Sequence, residues 1–239
     1  MAIEVPFVSI EGGDGSGKTL HAAQLVEWLM KEKGVEVLSL DYPRYGKHSA
    51  YIVEKYLNGD FGGVNDVPPE LASLPYSIDR AADKQKILDF FTEHPSGIAI
   101  TNRFVNSNLA HQGTKIDDPE KRKVFYEHIR QLEFEDLGVP KPVLNITLLT
   151  PASIAQANVD KKAASMRTYT DAKRDIHEAS ADHLTKAAQN YRELCEIYPD
   201  ENAPVEGTNN EGKQRPIPDI QSDVRALVND IIFNQPPLF

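Results

Sequence analysis

The stretch at residues 11–19, with the sequence EGGDGSGKT, constrains the fold of this chain more than any other. Its four glycines allow backbone N–H groups to turn inward around an anion. A helix that follows directly adds the positive end of its dipole at the same point. The fixed positions of the phosphate-binding motif G-x-x-x-x-G-K-[ST] are filled by Gly12, Gly17, Lys18 and Thr19.

The residues that flank this loop have the periodicity that the motif requires. Residues 5–11 are a short apolar run typical of a buried strand, and residues 20–32 have apolar side chains at helical spacing. A glycine-rich turn that binds nothing would not need Lys18 and Thr19, whose counterparts in the motif reach the β- and γ-phosphates and hold Mg²⁺. We therefore predict a nucleotide site formed by Gly12, Gly13, Asp14, Gly15, Ser16, Gly17, Lys18 and Thr19, with Thr19 as the magnesium ligand.

Composition limits the ligands and the cell compartment. The chain of 239 residues has 26 basic and 36 acidic side chains, and this net charge of −10 disfavours binding to nucleic acid. A single cysteine, Cys195, excludes an intrachain disulfide and suits a reducing compartment. No run approaches the roughly 20 apolar residues of a membrane span. We expect one cytoplasmic domain, residues 1–239, that binds small phosphorylated ligands and no membrane.

Strands and helices alternate along the rest of the chain, which is typical of a parallel α/β sheet. The predicted fold is a three-layer α/β P-loop fold with a mainly parallel sheet of about five strands between helices. A basic, weakly periodic segment at about residues 158–175 is either a solvated loop or a mobile lid over a polyphosphate. Further strands are predicted at 35–42, 97–102, 143–149 and 203–206, and helices at 49–57, 70–94, 118–137, 151–159, 171–198 and 217–233.

Polar side chains follow the second and third predicted strands. Ligands bind at the carboxyl ends of parallel strands, so these residues predict a site that reads hydrogen-bonding groups. Tyr76 and Arg80 lie one helical turn apart and are placed to hold one planar ligand, although a core tyrosine beside a surface arginine is the alternative. The residues that follow the two strands are Arg44, Tyr45, Arg103, Asn106, Ser107, Asn108, His111 and Gln112.

At this point the chain resembles the thymidylate kinases, P-loop enzymes that transfer the terminal phosphate of ATP to dTMP. The resemblance covers nearly the whole chain in the right order. The P-loop is shared by many families, whereas the run from Arg103 to Gly113 is much more specific. The matching segments are EGGDGSGKT at 11–19, YPRYG at 42–46, YSIDR at 76–80, NRFVNSNLAHQG at 102–113 and a lid-like stretch through residues 175–178.

The resemblance implies an acceptor site for dTMP. Tyr76 would stack on thymine, Arg80 would donate to a thymine carbonyl, and Asn108 would bond the base edge. Arg44 and Arg103 would clamp the monophosphate, as planar guanidinium groups bind phosphate oxygens in pairs. The complete predicted acceptor set is Asp14, Arg44, Tyr45, Tyr76, Arg80, Arg103, Ser107, Asn108, His111 and Gln112.

The resemblance also implies how catalysis works. Phosphoryl transfer needs the two substrates in line, Mg²⁺ on the donor phosphates of ATP, and cations for the developing charge. Position 15 is glycine where one class of the family has a basic residue, which implies an arginine supplied by the lid. The predicted catalytic residues are Asp14, Lys18, Arg103 and the lid arginines Arg167 and Arg174, with help from Lys161 or Lys162.

Three positions depart from the family pattern. Asn102 stands where most members have aspartate, which predicts a weaker hold on Mg²⁺. Leu20 replaces a hydroxyl that commonly contacts the α-phosphate. His111 stands where a tyrosine often guards against a ribose 2′-hydroxyl, which leaves the choice of sugar open.

Other functions stay open at this stage. The acceptor is dTMP or another pyrimidine nucleotide or nucleoside, and a nucleotide-binding protein with reduced catalysis is a further alternative. A P-loop ATPase switch would have no use for the polar residues at 106–112. The resemblance implies a homodimer packed through helices. All of these readings require Lys18 and Arg103 to face one cleft.

Overall fold

A five-stranded parallel sheet forms the middle layer of the computed structural model, which describes residues 4–165 and 181–234. The strand order is β2-β3-β1-β4-β5, and every neighbouring pair is parallel. The predicted α/β fold with a sheet of about five strands is therefore confirmed. The strands are β1 (Glu4–Gly12), β2 (Val37–Asp41), β3 (Ile98–Asn102), β4 (Lys141–Leu149) and β5 (Asn202–Glu206).

Helices cover both faces of this sheet. Three of them continue into short π-helical segments, at Leu29–Lys33, Gln131–Asp136 and Asn229–Phe233. The described α-helices are α1 (Lys18–Trp28), α2 (Tyr51–Leu57), α3 (Pro69–Ala81), α4 (Lys84–Glu93), α5 (Val105–Gln112), α6 (Pro119–Arg130), α7 (Ala152–Ser165), α8 (Ala181–Ile197) and α9 (Ile217–Val228).

Two apolar cores lie on opposite faces of the sheet because successive strand residues point to opposite sides. Phe7 and Ala99 pack against α5, α6 and α8, whereas Val8 and Ile100 pack against α1 and α9. The helices that follow β1 and β3 therefore leave the sheet in opposite directions. Adjacent parallel strands whose connections diverge in this way leave a crevice at their carboxyl ends, which is where ligands bind in open α/β sheets.

Two predicted elements differ from the structure. The expected single helix at 70–94 is wrong, because α3 ends at Ala81 and α4 begins at Lys84. The break coincides with Asp83, whose carboxylate binds the Arg44 guanidinium at 2.5 Å and the Tyr42 hydroxyl at 3.1 Å. The expected irregular segment is also partly wrong, since α7 continues to Ser165. Residues 166–175 of the predicted lid lie outside the described residues.

Within residues 4–165 and 181–234, the structure contains no helix with both the length and the apolar character of a bilayer span.

Candidate active site

The glycine-rich loop joins β1 to α1 in the conformation that a phosphate site needs. Gly12 has a φ of 139°, and a side chain there would place Cβ within 2.6 Å of the Leu148 carbonyl oxygen. Gly17, with a φ of 93°, precedes α1, whose first turn has no side-chain cap. The free N–H groups of that turn therefore face the loop and are available to an anion. A cavity of about 730 Å³, which we call the loop cavity, is lined by residues 14–21 and includes Leu20.

Lys18 is buried at the base of this loop. Its Nζ donates to the Gly13 carbonyl oxygen at 2.7 Å and lies 3.9 Å from the Asp14 carboxylate. Burial, together with the nearby Arg103 cation, lowers the pKa of Lys18 to about 7. The amine therefore lies where a bound polyphosphate would stabilise its charged form.

Helix α7 packs directly on the loop. A Cβ at Gly15 would lie 2.0 Å from the Ala155 carbonyl oxygen, and the Asn158 amide donates to the Gly15 carbonyl at 3.0 Å. No side chain fits at position 15 in this arrangement. The predicted lid arginines, Arg167 and Arg174, lie outside the described residues, and for Lys161 and Lys162 the structure describes only the helical backbone.

A second cavity of about 260 Å³, which we call the polar cavity, opens at the carboxyl ends of β2 and β3. Asp14, Asn102 and Arg103 line both cavities, so the two spaces meet at these side chains. Lys18 and Arg103 both lie within ion-pair distance of Asp14, and the prediction that they face one cleft is confirmed. The predicted acceptor residues that line the polar cavity are Asp14, Tyr45, Tyr76, Arg80, Arg103, Ser107, Asn108, His111 and Gln112.

Arg44 is the predicted acceptor residue that does not line the polar cavity. Its Nε lies 3.0 Å from Asp79, its Nη1 lies 2.5 Å from Asp83, and its Nη2 donates to Ser49 Oγ at 2.8 Å. Two carboxylates and a hydroxyl thus occupy the guanidinium. In the ligand-free protein these contacts hold Arg44 against α3.

Arg103 lies at the junction of the two cavities. Among the described residues it is the one non-glycine residue with positive φ, at 63°. Its Nη2 forms an ion pair with Asp14, and its Nη1 lies 3.2 Å from Ser107 Oγ, 3.3 Å from His111 Nε2 and 3.4 Å from the Tyr191 hydroxyl. Unusual backbone of this kind persists where surrounding contacts over-determine it. Arg103 is therefore held in one orientation before any ligand arrives.

The fully buried carboxylate of Glu11 fixes this turn. It accepts the Phe104 backbone N–H at 2.8 Å and the Ser107 hydroxyl at 2.6 Å. Burial raises the pKa of Glu11, while these hydrogen bonds and the Arg103 charge oppose that shift. The sequence analysis used Glu11 as part of the loop motif but missed this role. The signal that could have indicated it is a carboxylate directly before the first glycine of the loop.

A chain of hydrogen bonds through His111, His183 and Thr114 supports the Arg103 guanidinium. Thr114 Oγ1 donates to the His111 carbonyl oxygen at 2.8 Å, so its lone pair accepts from His183 Nδ1 at 2.9 Å. His183 Nε2 then accepts from His111 Nδ1 at 3.1 Å, which leaves His111 Nε2 to accept from Arg103. Burial lowers the pKa of His183 to about 4. The His183 imidazole is therefore neutral in this arrangement, and His111, whose Nε2 accepts from Arg103, orients that arginine.

Arg80 lines the polar cavity and forms a buried ion pair. Its Nε and Nη2 both donate to the Glu133 carboxylate at 2.5 Å, and these two residues are 2% and 0% exposed. Its Nη1 lies 3.4 Å from the Phe104 carbonyl oxygen. Glu133, on the π-helical segment after α6, was missed by sequence reasoning, because a glutamate in an amphipathic helix gives no sign of being buried.

The remaining polar groups near Arg80 come from α3 and α5. The Asn108 amide donates to the Ser73 carbonyl at 3.2 Å, while its Oδ1 is buried without a hydrogen-bond partner among the described residues. Gln112 Oε1 accepts from the Tyr56 hydroxyl at 3.4 Å, and the half-buried Tyr76 ring packs edge-on against the Tyr56 ring. The cavity thus offers an aromatic face, a guanidinium and an unsatisfied amide oxygen to one ligand.

The fold and the two adjoining cavities define a P-loop nucleotide-binding protein with a second ligand pocket at the sheet edge. The chain is 31% identical over 151 residues to the thymidylate kinase of Synechococcus sp., which is 63% of this chain and 67% of that protein. It is 27% identical over 190 residues to the thymidylate kinase of Mycobacterium tuberculosis, 79% of this chain and 85% of that one. No family model matches. The chain belongs to the thymidylate kinase family, as its motifs indicate.

The same relationship extends across nearly the full length of other relatives. The probable thymidylate kinase of Thermococcus gammatolerans is 26% identical over 231 residues, covering 95% of this chain and 98% of that protein. The match therefore covers nearly all of this chain.

We expect binding of a nucleoside triphosphate at pH 8 to take up about one proton, since free Lys18 with a pKa of about 7 is mostly neutral there. A bound polyphosphate favours the ammonium, so apparent affinity falls by up to about tenfold per pH unit above 7. Calorimetry in HEPES and Tris buffers measures the uptake. Lys18→Arg, which stays charged, should bind without it; equal uptake in both proteins would contradict the assignment.

We expect Glu133→Ala to lower the free energy of unfolding by about 3–5 kcal/mol, because it leaves the Arg80 charge buried without a partner. Urea unfolding measures this loss. The double variant Arg80→Met/Glu133→Leu removes both charges and should lose much less stability. Equal losses in the two proteins would show that the ion pair is not the cause.

Proposed function

We propose that this protein transfers the γ-phosphoryl group of ATP to dTMP, giving dTDP and ADP for dTTP synthesis. The observation that supports this most strongly is the junction at Asp14, Asn102 and Arg103, where the loop cavity and the polar cavity meet. Two phosphate esters bound in these cavities would bring their phosphates together at that junction, as in-line transfer requires. The relatives named thymidylate kinase support the same reaction.

On the donor side, residues 12–19 would hold the triphosphate of ATP. Backbone N–H groups at the start of α1 would bind the phosphate oxygens, and the Lys18 ammonium would exchange the Gly13 carbonyl for the β- and γ-phosphates. This exchange costs little because the amine already lies beside the loop. Lys18 would then meet the charge that develops on the transferred phosphoryl group.

The donor set beside Thr19 fits Mg²⁺. The Thr19 hydroxyl accepts from the Asn102 amide at 3.3 Å, and the Asn102 Oδ1 is buried without a hydrogen-bond partner in the described part of the chain. Hydroxyl, amide and carboxylate oxygens are the ligands that Mg²⁺ prefers, directly or through water. Bound with ATP, the ion would neutralise the β- and γ-phosphates. Thr19 would be its ligand, and the Asn102 amide would position the Thr19 hydroxyl.

On the acceptor side, we assign the monophosphate of dTMP to Arg103 and the sugar to Asp14. The present Asp14–Arg103 ion pair would open as the phosphate replaces the carboxylate at the guanidinium. Arg44 would reach the phosphate only by breaking its pairs with Asp79 and Asp83, so we give it no direct contact. Asp14 would then accept a hydrogen bond from the 3′-hydroxyl.

The base would lie between Tyr76 and the groups at the closed end of the polar cavity. The Asn108 Oδ1, which lacks a hydrogen-bond partner within the described ranges, would accept the N3–H of thymine. The N–H groups that Arg80 does not direct at Glu133 would donate to a thymine carbonyl. Tyr45, Ser107, His111 and Gln112 would complete the wall of the pocket.

We expect a coupled ADP-release assay with ATP and Mg²⁺ to give the highest kcat/KM for dTMP in a panel with dUMP, dCMP and thymidine. Arg103→Ala should lower kcat/KM for dTMP by on the order of 10³, as loss of a phosphate-binding arginine does in such transfers. Lys31→Ala, which removes an exposed cation after α1, is the control. ATP binding without dTMP-dependent ADP release would instead favour the nucleotide-binding protein with reduced catalysis.

The lid and the assembly are part of the same proposal. We retain Arg167 and Arg174 as the candidate lid arginines, with Lys161 or Lys162 assisting, in a single cytoplasmic domain.

For the homodimer, support comes from α3, where Leu71, Leu74 and Ile78 are 59%, 40% and 57% exposed. Their spacing of three and four residues makes one apolar stripe on the helix, which suits contact with a second copy.

We expect Leu74→Glu to shift the protein from dimer to monomer, because it introduces a charge into the centre of that stripe. Light scattering after size-exclusion chromatography measures the mass. Met30→Glu, at an exposed apolar position that follows α1 on the other face of the sheet, should leave the dimer intact. A wild-type protein that elutes as a monomer would contradict the proposed assembly.

A further inference from the structure

Asp41 and Asn102 are direct partners across the parallel pair β2–β3, at the last residue of each strand. The Asn102 amide Nδ2 donates to Asp41 Oδ1 at 2.8 Å and to Thr19 Oγ1 at 3.3 Å. One side chain thus joins a carboxylate on β2 to the hydroxyl predicted to hold Mg²⁺. This contact places Asp41 in the group of oxygens beside the loop.

The orientation of the Asn102 amide is determined by its neighbours. A carboxylate only accepts, so the NH₂ group faces Asp41, and the carbonyl oxygen faces the other way. That Oδ1 is buried and has no hydrogen-bond partner among residues 4–165 and 181–234. Buried unsatisfied acceptors are rare in folded proteins, and strain, a functional role or an additional water or ion accounts for them. The oxygen therefore points to a species that the protein alone does not supply.

The other carboxylates near the loop are already engaged. Asp14 pairs with Arg103 and lies 3.9 Å from Lys18, and Glu11 accepts from Phe104 and Ser107. Asp41 forms no ion pair in the described part of the chain, and it lines the polar cavity with solvent access. It is the available negative charge beside Thr19.

We propose that Asp41 supplies the carboxylate of the magnesium site that the neutral Asn102 lacks. This inference rests on the proposed function, since the ion arrives with ATP. Neighbouring strands lie about 4.8 Å apart, so the negative charge is moved by one strand position from β3 to β2. Mg²⁺ keeps several waters in its shell and needs only one or two carboxylates besides substrate phosphates, so it tolerates such a move.

The proposal changes the meaning of Asn102. The weaker binding of Mg²⁺ expected from Asn102 assumed that no other carboxylate takes over from the aspartate that most family members have there. With Asp41 in the same hydrogen-bonded group, one negative charge still lies beside Thr19. It comes from β2 instead of β3. Asn102 then acts as a positioning residue that orients the Asp41 carboxylate and the Thr19 hydroxyl.

The test is the binding of Mn²⁺, as a paramagnetic substitute for Mg²⁺, to the ADP complex, followed by electron paramagnetic resonance. We expect Asp41→Asn to weaken Mn²⁺ binding about 10- to 100-fold, the usual effect of removing an outer partner of a metal site. ADP affinity without metal should stay unchanged. Asp60→Asn, an exposed aspartate in the loop after α2, is the matched control and should leave both affinities unaltered.

The double variant Asp41→Asn/Asn102→Asp makes the proposal falsifiable even if the single variant folds poorly. It keeps one carboxylate hydrogen-bonded to one amide, so its Mn²⁺ affinity should return to within about threefold of wild type. Wild-type Mn²⁺ affinity in Asp41→Asn, or no recovery in the double variant, would overturn the inference. Failure of the proposed function is distinguishable, because it appears as absent dTMP-dependent ADP release in the wild-type protein whatever the Mn²⁺ affinities are.

Discussion

The buried carboxylate of Glu11 is the interaction on which the site depends. It lies at the end of β1, directly before the loop, and it holds the turn after β3 through the Phe104 N–H and the Ser107 hydroxyl. One residue therefore fixes both the start of the phosphate loop and the left-handed backbone of Arg103. Since a buried carboxylate is costly unless its lone pairs are satisfied, the two loops are stable only in this mutual arrangement.

The cations of the site already have partners in the ligand-free protein. Lys18 donates to a loop carbonyl, and Arg103 pairs with Asp14. The Gly13 carbonyl oxygen and the Asp14 carboxylate take the place of phosphate oxygens, so both basic side chains have a partner before a ligand binds. Ligand binding then exchanges one oxygen partner for another, with little movement of either side chain. A site built in this way is oriented in advance, which reduces the entropy lost on binding.

Local patterns allowed much of this structure to be predicted, and pairings between distant residues account for what was missed. The loop motif at 11–19 and the polar run after β3 are contiguous in sequence, so spacing was enough to identify them. The engagement of Arg44 by Asp79 and of Arg80 by Glu133 joins residues 35 and 53 positions apart, and no periodicity encodes it. The break between α3 and α4 likewise lies at Asp83, whose ion pair with Arg44 joins residues far apart in the sequence.

The one-way order of the hydrogen bonds from Arg103 through His111 and His183 to Thr114 has a consequence for acid tolerance. In this order each imidazole nitrogen along the chain is either a donor or an acceptor, so adding a proton would force two donors to face each other. With the pKa of His183 near 4, that conflict is avoided throughout the neutral and mildly acidic range. His183 thus stays neutral over this range, so the hydrogen bonds that orient Arg103 through His111 stay unchanged.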